Sequence, residues 1–130
     1  MKTIVITVEA SKDSFAAYNE EHGIFAAGDN IKEVKQSVQD SIESLDTLDG
    51  ANRPKFLDAN FELKYNFDTK SLLEYYSGIF TFAAIQRITG INRKQIQHYS
   101  TGHRKPRIEQ RKKIEKGLHE LANDILQIEL

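Results

Sequence analysis

The sequence predicts an α+β protein in two parts, a β-β-β-α-β unit over residues 1–67 followed by an all-α unit over residues 68–130. Three observations predict it. Short β-branched or alternating stretches, each closed by turn residues, occupy much of the first half. From Asp68 onward the apolar period changes from two to about 3.6 residues. The charge also changes sign there: residues 1–67 hold 7 Lys+Arg and 12 Asp+Glu, a net of −5, whereas residues 68–130 hold 11 and 7, a net of +4.

In chain order, the β-branched run Lys2-Thr3-Ile4-Val5-Ile6-Thr7-Val8 reads as a buried strand, and Lys12-Asp13-Ser14 as a turn. Phe15 to Asn19 is a second strand, Glu20-Glu21-His22-Gly23 a turn, and Ile24 to Ala27 a third strand closed by Gly28-Asp29. Three short strands with tight turns make an antiparallel meander. Asn30 then stands as an N-cap with Glu33 at capping-box spacing. Ile31, Val34, Val38, Ile42 and Leu45 recur at helical intervals, so a helix should lie on the meander with Lys32, Lys35, Gln39, Asp40 and Glu43 in water. Leu48 to Asp58, with Asp-Gly, Asn and Pro54, reads as a loop. Phe61, Leu63, Tyr65 and Phe67 alternate with Glu62, Lys64 and Asn66, the cleanest strand pattern in the chain.

In the second half, Leu72, Leu73 and Tyr76 predict a short helix ending at Gly78, and Phe82, Ile85 and Ile88 a second ending at Gly90. Asn92 can cap a third, with Ile96 and Tyr99 inward and Gly102 at its end. Pro106 precedes a long helix whose stripe is Ile114, Leu118, Leu121, Ile125 and Ile128.

Composition narrows the function. No apolar run approaches the roughly 18 residues of a membrane span, and the opening Met1–Ile6 is too short for a signal peptide, so the expected location is the cytoplasm. Cysteine is absent, which excludes disulfides, thiolate zinc and a cysteine nucleophile. Between Arg87 and Lys116 there are 10 basic and 2 acidic residues, a net of +8, and nucleic acid is the natural partner of such a stretch.

A helix, a turn at Gly90 and a helix from Asn92 have the form of a helix-turn-helix. With Ile85, Ile91, Ile96 and Tyr99 buried, the second helix would present Arg93, Lys94, Gln95, Gln97 and His98 outward, none of them acidic. Arg and Lys suit guanine edges and Gln suits adenine. Thr101 extends that face, and Arg104 and Lys105 follow in a loop suited to phosphates. The expected DNA-binding residues are therefore Arg93, Lys94, Gln95, Gln97, His98, Thr101, Arg104 and Lys105. One such unit makes few base contacts, so a homo-oligomer, dimer or tetramer, is expected on the DNA.

The stretch from Ala84 to Pro106, with its Gly-Ile-Asn turn, internal Ile96, Tyr99 three positions on and Gly-x-Arg-Lys-Pro tail, resembles the Cro/Xre class of repressor domains. That resemblance implies base contacts from Arg93, Lys94 and His98 and backbone contacts near Arg104. Gln86 stands where the class prefers a small residue, and Arg107 where it prefers a Ser or Thr cap. The first half, with Ile4–Glu9, Asp13-Ser14-Phe15-Ala16-Ala17 and Gly28-Asp29-Asn30-Ile31-Lys32-Glu33-Val34, resembles the partial ribonuclease-H-like domain of HicB antitoxins. Ser14, Asn30 and Val34 replace that family's Gly, Thr and Ala. The resemblance implies a HicA-like ribonuclease toxin as protein partner, operator DNA as the second partner, and repression of the chain's own operon. The alternatives are a stand-alone regulator whose first domain oligomerises or senses a small molecule, and a non-catalytic interaction module that does not touch DNA.

Catalysis is not expected. The central strand Ile4–Val8 carries no acid, and Glu9, Asp13 and Glu62 are scattered where two-metal hydrolysis needs convergence. His22, His103 and His119 lack metal-ligand spacing, and no cofactor motif is present.

Overall fold

The β-branched opening segment forms the centre of a sheet because both of its edges find partners. In the computed structural model, which describes residues 1–130, β1 (Lys2–Ala10) pairs antiparallel with β2 (Phe15–Asn19), and β2 with β3 (Ile24–Gly28). β4 (Phe61–Phe67) returns to the other side of β1 and runs parallel to it, from Lys2↔Phe61 to Val8↔Phe67, giving the mixed order β3-β2-β1-β4. The protein is thus α+β, with this four-stranded sheet and five α-helices. It divides into two compact units, Met1–Asp68 and Thr69–Leu130.

Strand alternation sorts the first unit into two faces. Ile4, Ile6 and Val8 of β1 are buried with Phe15, Ala17 and Ile24 beneath α1 (Ile31–Asp46), which contributes Val34, Val38 and Ile42. Each Ile, Val or Phe among them contributes about 1.5–3 kcal/mol when fully buried. Tyr65 of β4 lies on the same side, with Lys35 Nζ 4.9 Å from its ring centre, and burial raises its phenol pKa. The opposite face carries Thr3, Val5, Thr7, Glu9, Tyr18 and Phe25 with no helix over it, and Phe25 is 61% exposed.

α1 begins where expected, since Asn30 Oδ1 accepts from the Glu33 amide at 2.8 Å. The returning carboxylate bond lands one residue early: Glu33 Oε2 accepts from the Asp29 amide at 2.9 Å, not from Asn30. Ser37 and Ser41 on α1 accept from the Ala27 and Phe25 amides of edge strand β3, so the helix blunts an edge that would otherwise offer free donors. The predicted loop is more ordered than its composition suggests. It holds two 3-10 turns, Gly50–Asn52 and Lys55–Asp58, clasped by Arg53, which binds Asp46 at 2.7 Å and Asp58 at 3.1 Å. Phe56 is buried there against His22 and Phe61.

The second unit contains α2 (Thr69–Tyr75), a 3-10 turn Tyr76–Gly78, α3 (Phe82–Thr89), α4 (Arg93–Thr101) and α5 (Ile108–Leu126). Leu73, Ile85, Ile91, Ile96, Tyr99 and Ile114 form its core, with Phe80, Phe82 and Leu118 packed around them. Thr81 caps α3 by accepting from the Ala84 amide at 3.0 Å. Gly117 lets α5 approach α3, because a Cβ at that position would stand 2.5 Å from the Ile88 carbonyl oxygen. The long apolar stripe expected of α5 is only partly used. Ile114 is buried and Leu118 and Leu121 half-buried, but Ile125 and Ile128 are 53% and 62% exposed. No helix of the protein is long and apolar enough to cross a membrane.

Candidate nucleic-acid interface

α3 and α4 meet through Gly90-Ile91-Asn92. Gly90 closes α3 at φ 76°, a left-handed conformation that side chains disfavour, and its amide donates to Gln86 O at 2.8 Å. Ile91 then drops into the core while its amide donates to Thr89 Oγ1 at 3.1 Å. Asn92 starts α4 by accepting from the Lys94 amide at 2.8 Å. A further clamp comes from α3, where Gln86 Oε1 accepts from the Arg93 amide at 2.7 Å. Two of the donors that every helix start leaves open are therefore satisfied, one by each side chain.

On α4 the buried sector is Ile96, Tyr99 and Ser100. The exposed sector holds Arg93, Lys94, Gln97 and Thr101, all turned to solvent. Gln95 and His98 differ from the simple outward reading, because both are half-buried at the margins of that sector. Gln95 Nε2 donates to Tyr99 OH at 2.9 Å, which ties its amide to the flank of the helix. His98 packs on the His103 ring at 4.7 Å between centroids, and its Nδ1 is buried without a hydrogen-bond partner. Burial, followed by the nearby His103, Arg104 and Lys94, holds its pKa below the ordinary imidazole value.

The chain after α4 is anchored at both ends. Gly102 terminates the helix at φ 81°, and the Arg104 amide donates to His98 O at 3.2 Å. Arg104 and Lys105 are exposed and border an open cleft of about 530 Å³ together with Gln95, Tyr99, Arg107 and Gln110. Its lining offers three cations, two amides and a phenol, and no carboxylate. From Tyr75 to Ile108 the chain contains no Asp or Glu at all, so nothing on α3, α4 or the following loop opposes an approaching anion. Arg107 opens α5 without a side-chain cap, since a guanidinium has no acceptor, and it lines the cleft.

The fold therefore gathers all eight sequence-derived residues on α4 and the loop behind it, six of them exposed. Sequence reasoning missed Gln86, Arg107 and Gln110. The signal for Gln86 was present, since an amide stood where a small residue was expected, seven positions before a helix start needing an acceptor. Elsewhere, Glu9 accepts from Tyr18 OH at 2.9 Å and Glu62 from Thr3 Oγ1 at 2.8 Å, each an exposed cross-strand pair on the open sheet face. No three His, Asp or Glu side chains come together as a metal-holding group.

Compared with known proteins, the chain matches no family model, no curated protein and no solved structure.

Proposed function

We propose that the chain is a DNA-binding repressor of antitoxin type, with α3 and α4 serving as a helix-turn-helix and the first unit holding a protein partner. The observation that carries the DNA reading is the acid-free surface of α4 and its following loop. There Arg93, Lys94, Gln97 and Thr101 project from a helix fixed at its start by Asn92 and Gln86. A helix of this size fits the major groove of B-DNA, where Arg and Lys pair with guanine and Gln with adenine. Arg104, Lys105 and Arg107, around the cleft, then meet phosphates and set the register of α4. Half-buried Gln95 and His98 reach the groove margin rather than its floor.

The partner reading rests on the character of the first unit. Its sheet leaves one face open, with Phe25, Val5 and Tyr18 beside Glu9, Glu62 and Lys64, on a half of the chain whose net charge is −5. A half of net negative charge with exposed apolar side chains suits a basic protein. A HicA-like toxin, the partner implied by the resemblance to HicB antitoxins, is of that kind, and the sheet with α1 then serves as a non-catalytic partial ribonuclease-H-like domain.

The test is binding of the full-length chain to DNA from upstream of its own gene, followed by fluorescence anisotropy. Arg93→Ala with Lys94→Ala should weaken specific binding by roughly 1–3 kcal/mol per lost base contact. Unchanged affinity in the double variant would remove α4 as the reading helix. For the partner, an mRNA-cleaving protein that co-purifies from the host and is inhibited by this chain supports the antitoxin reading. A chain that purifies alone yet binds its promoter favours the stand-alone regulator.

A further inference from the structure

We propose that Gln86 makes Arg93 a reader of guanine: steadied by the Gln86 carboxamide, the Arg93 guanidinium turns its two terminal nitrogens to O6 and N7 of one guanine in the major groove. This inference rests on the DNA reading of α4 and names the base that one of its side chains takes. The two residues stand on different helices, Gln86 within α3 and Arg93 at the first position of α4. Gln86 Oε1 accepts from the Arg93 amide at 2.7 Å and from Arg93 Nε at 3.4 Å. The short bond seats the carboxamide against the backbone of α4. The longer one then limits where the arginine stem can point.

An unrestrained arginine has much rotamer freedom, and ordering it on a base costs affinity. Here part of that ordering is already present in the free protein. The place of the restraint matters as well. Nε is the inner nitrogen of the guanidinium, so engaging it leaves Nη1 and Nη2 as a parallel fork of donors on an exposed side chain. In the major groove guanine presents two neighbouring acceptors, whereas adenine presents one acceptor beside an amino donor. A guanidinium has no acceptor of its own, so at adenine one arm of the fork meets a donor. The restraint is also neutral. No Asp or Glu lies between Tyr75 and Ile108, so Arg93 keeps its full charge for DNA, which a carboxylate in place of Gln86 would offset. Lys94 is the contrast. Asn92 caps its backbone amide at 2.8 Å, but an ammonium is a point charge without a planar fork and tests two acceptors less strictly.

The experiment uses the full-length chain. Duplexes with a randomised core are selected for binding, and affinities for the enriched site and its single-base substitutions are read by fluorescence anisotropy. One guanine should be required: adenine in its place should weaken the native chain at least about fivefold, and Arg93→Ala should bind the two within about twofold of each other. Gln86→Met should weaken binding to the guanine site about two- to tenfold, because Arg93 must then be ordered on the DNA, and to the adenine site less than about twofold. Gln86→Glu keeps the acceptor and should retain the guanine preference while its added charge lowers affinity for both sites. Circular dichroism at the assay temperature verifies that each variant is folded. A Gln86 that only supports the start of α4 lowers both sites by one factor in Gln86→Met, and that result overturns the proposal. So does an unchanged guanine preference in Gln86→Met, or a preferred base other than guanine at the position whose preference Arg93→Ala abolishes. In each of these cases the DNA reading stands as long as Arg93→Ala with Lys94→Ala weakens specific binding. Selection that enriches no sequence removes the DNA reading and this proposal together.

Discussion

Gln86 Oε1 accepts the Arg93 backbone amide at 2.7 Å and lies 3.4 Å from Arg93 Nε, so one side chain of α3 fixes both the start of α4 and the root of its first cation. Gln86→Leu removes the acceptor and should cost about 1 kcal/mol of stability, lowering the midpoint of thermal unfolding by roughly 4–8 °C for a unit of this size. Circular dichroism melts measure that. Gln86→Glu keeps the acceptor and should recover most of the loss, whereas Gln86→Met, of similar length but without that acceptor, should not.

Arg93 and the Arg104–Lys105 pair should fail differently when removed. Each phosphate neutralised contributes about 0.9 to the slope of log affinity against log salt. Arg104→Ala or Lys105→Ala should therefore flatten that slope by about one and weaken all sequences alike. Arg93→Ala should chiefly reduce discrimination between operator and unrelated DNA. Salt titrations on both DNAs check this, and identical slopes in all three variants would deny the division of labour.

His98 makes stability depend on pH. Burial first, then His103, Arg104 and Lys94, hold its folded pKa below the ordinary value of about 6.5. The unfolded chain therefore takes up a proton before the folded one does. The stabilising contribution is fully present above pH 6.5 and is lost as pH falls through that value toward the folded pKa. The urea midpoint should fall more between pH 7.5 and 5 in the native chain than in His98→Gln. Equal falls would leave His98 without a part in it.

Gly117 should tolerate no side chain. A Cβ there would stand 2.5 Å from Ile88 O and 3.2 Å from Thr89 Cγ2, so α3 and α5 would have to separate. The overpacking cost of about 1–3 kcal/mol exceeds the up to ~1 kcal/mol that alanine gains over glycine in a helix. Gly117→Ala should unfold at lower denaturant, whereas Ala122→Gly, on an exposed stretch of the same helix, should lose only the propensity difference.

Much of this architecture was legible in the sequence because its signals are local. Alternation marks β4, and the Asn30 and Asn92 caps fix the starts of α1 and α4 within single turns. What escaped depends on groups distant in the chain. That Ser37 and Ser41 would meet the edge of β3 follows from how α1 crosses the sheet, not from any motif. Phe56, one aromatic among Asp, Pro and Gly, carries no period, yet His22 and Phe61 bury it. Gln95 and His98 read as outward because a nine-residue helix flanked on two sides has a narrower free sector than its wheel suggests. The stripe of α5 read as wholly inward because periodicity shows a greasy face without showing how far a neighbour extends along it.

The parallel partnership of β1 and β4 has a consequence for how the chain matures. Thr3 meets Glu62 across 59 residues of sequence, so β1 acquires its second neighbour only after nearly the whole first unit has been synthesised. Until then the flank of Ile4, Ile6 and Val8 that β4 later occupies is an open template for stray strands. The second unit closes through contacts between helices no more than two apart in the chain and should fold faster once released. Newly made protein therefore passes through a period in which one edge of β1 is still unpaired.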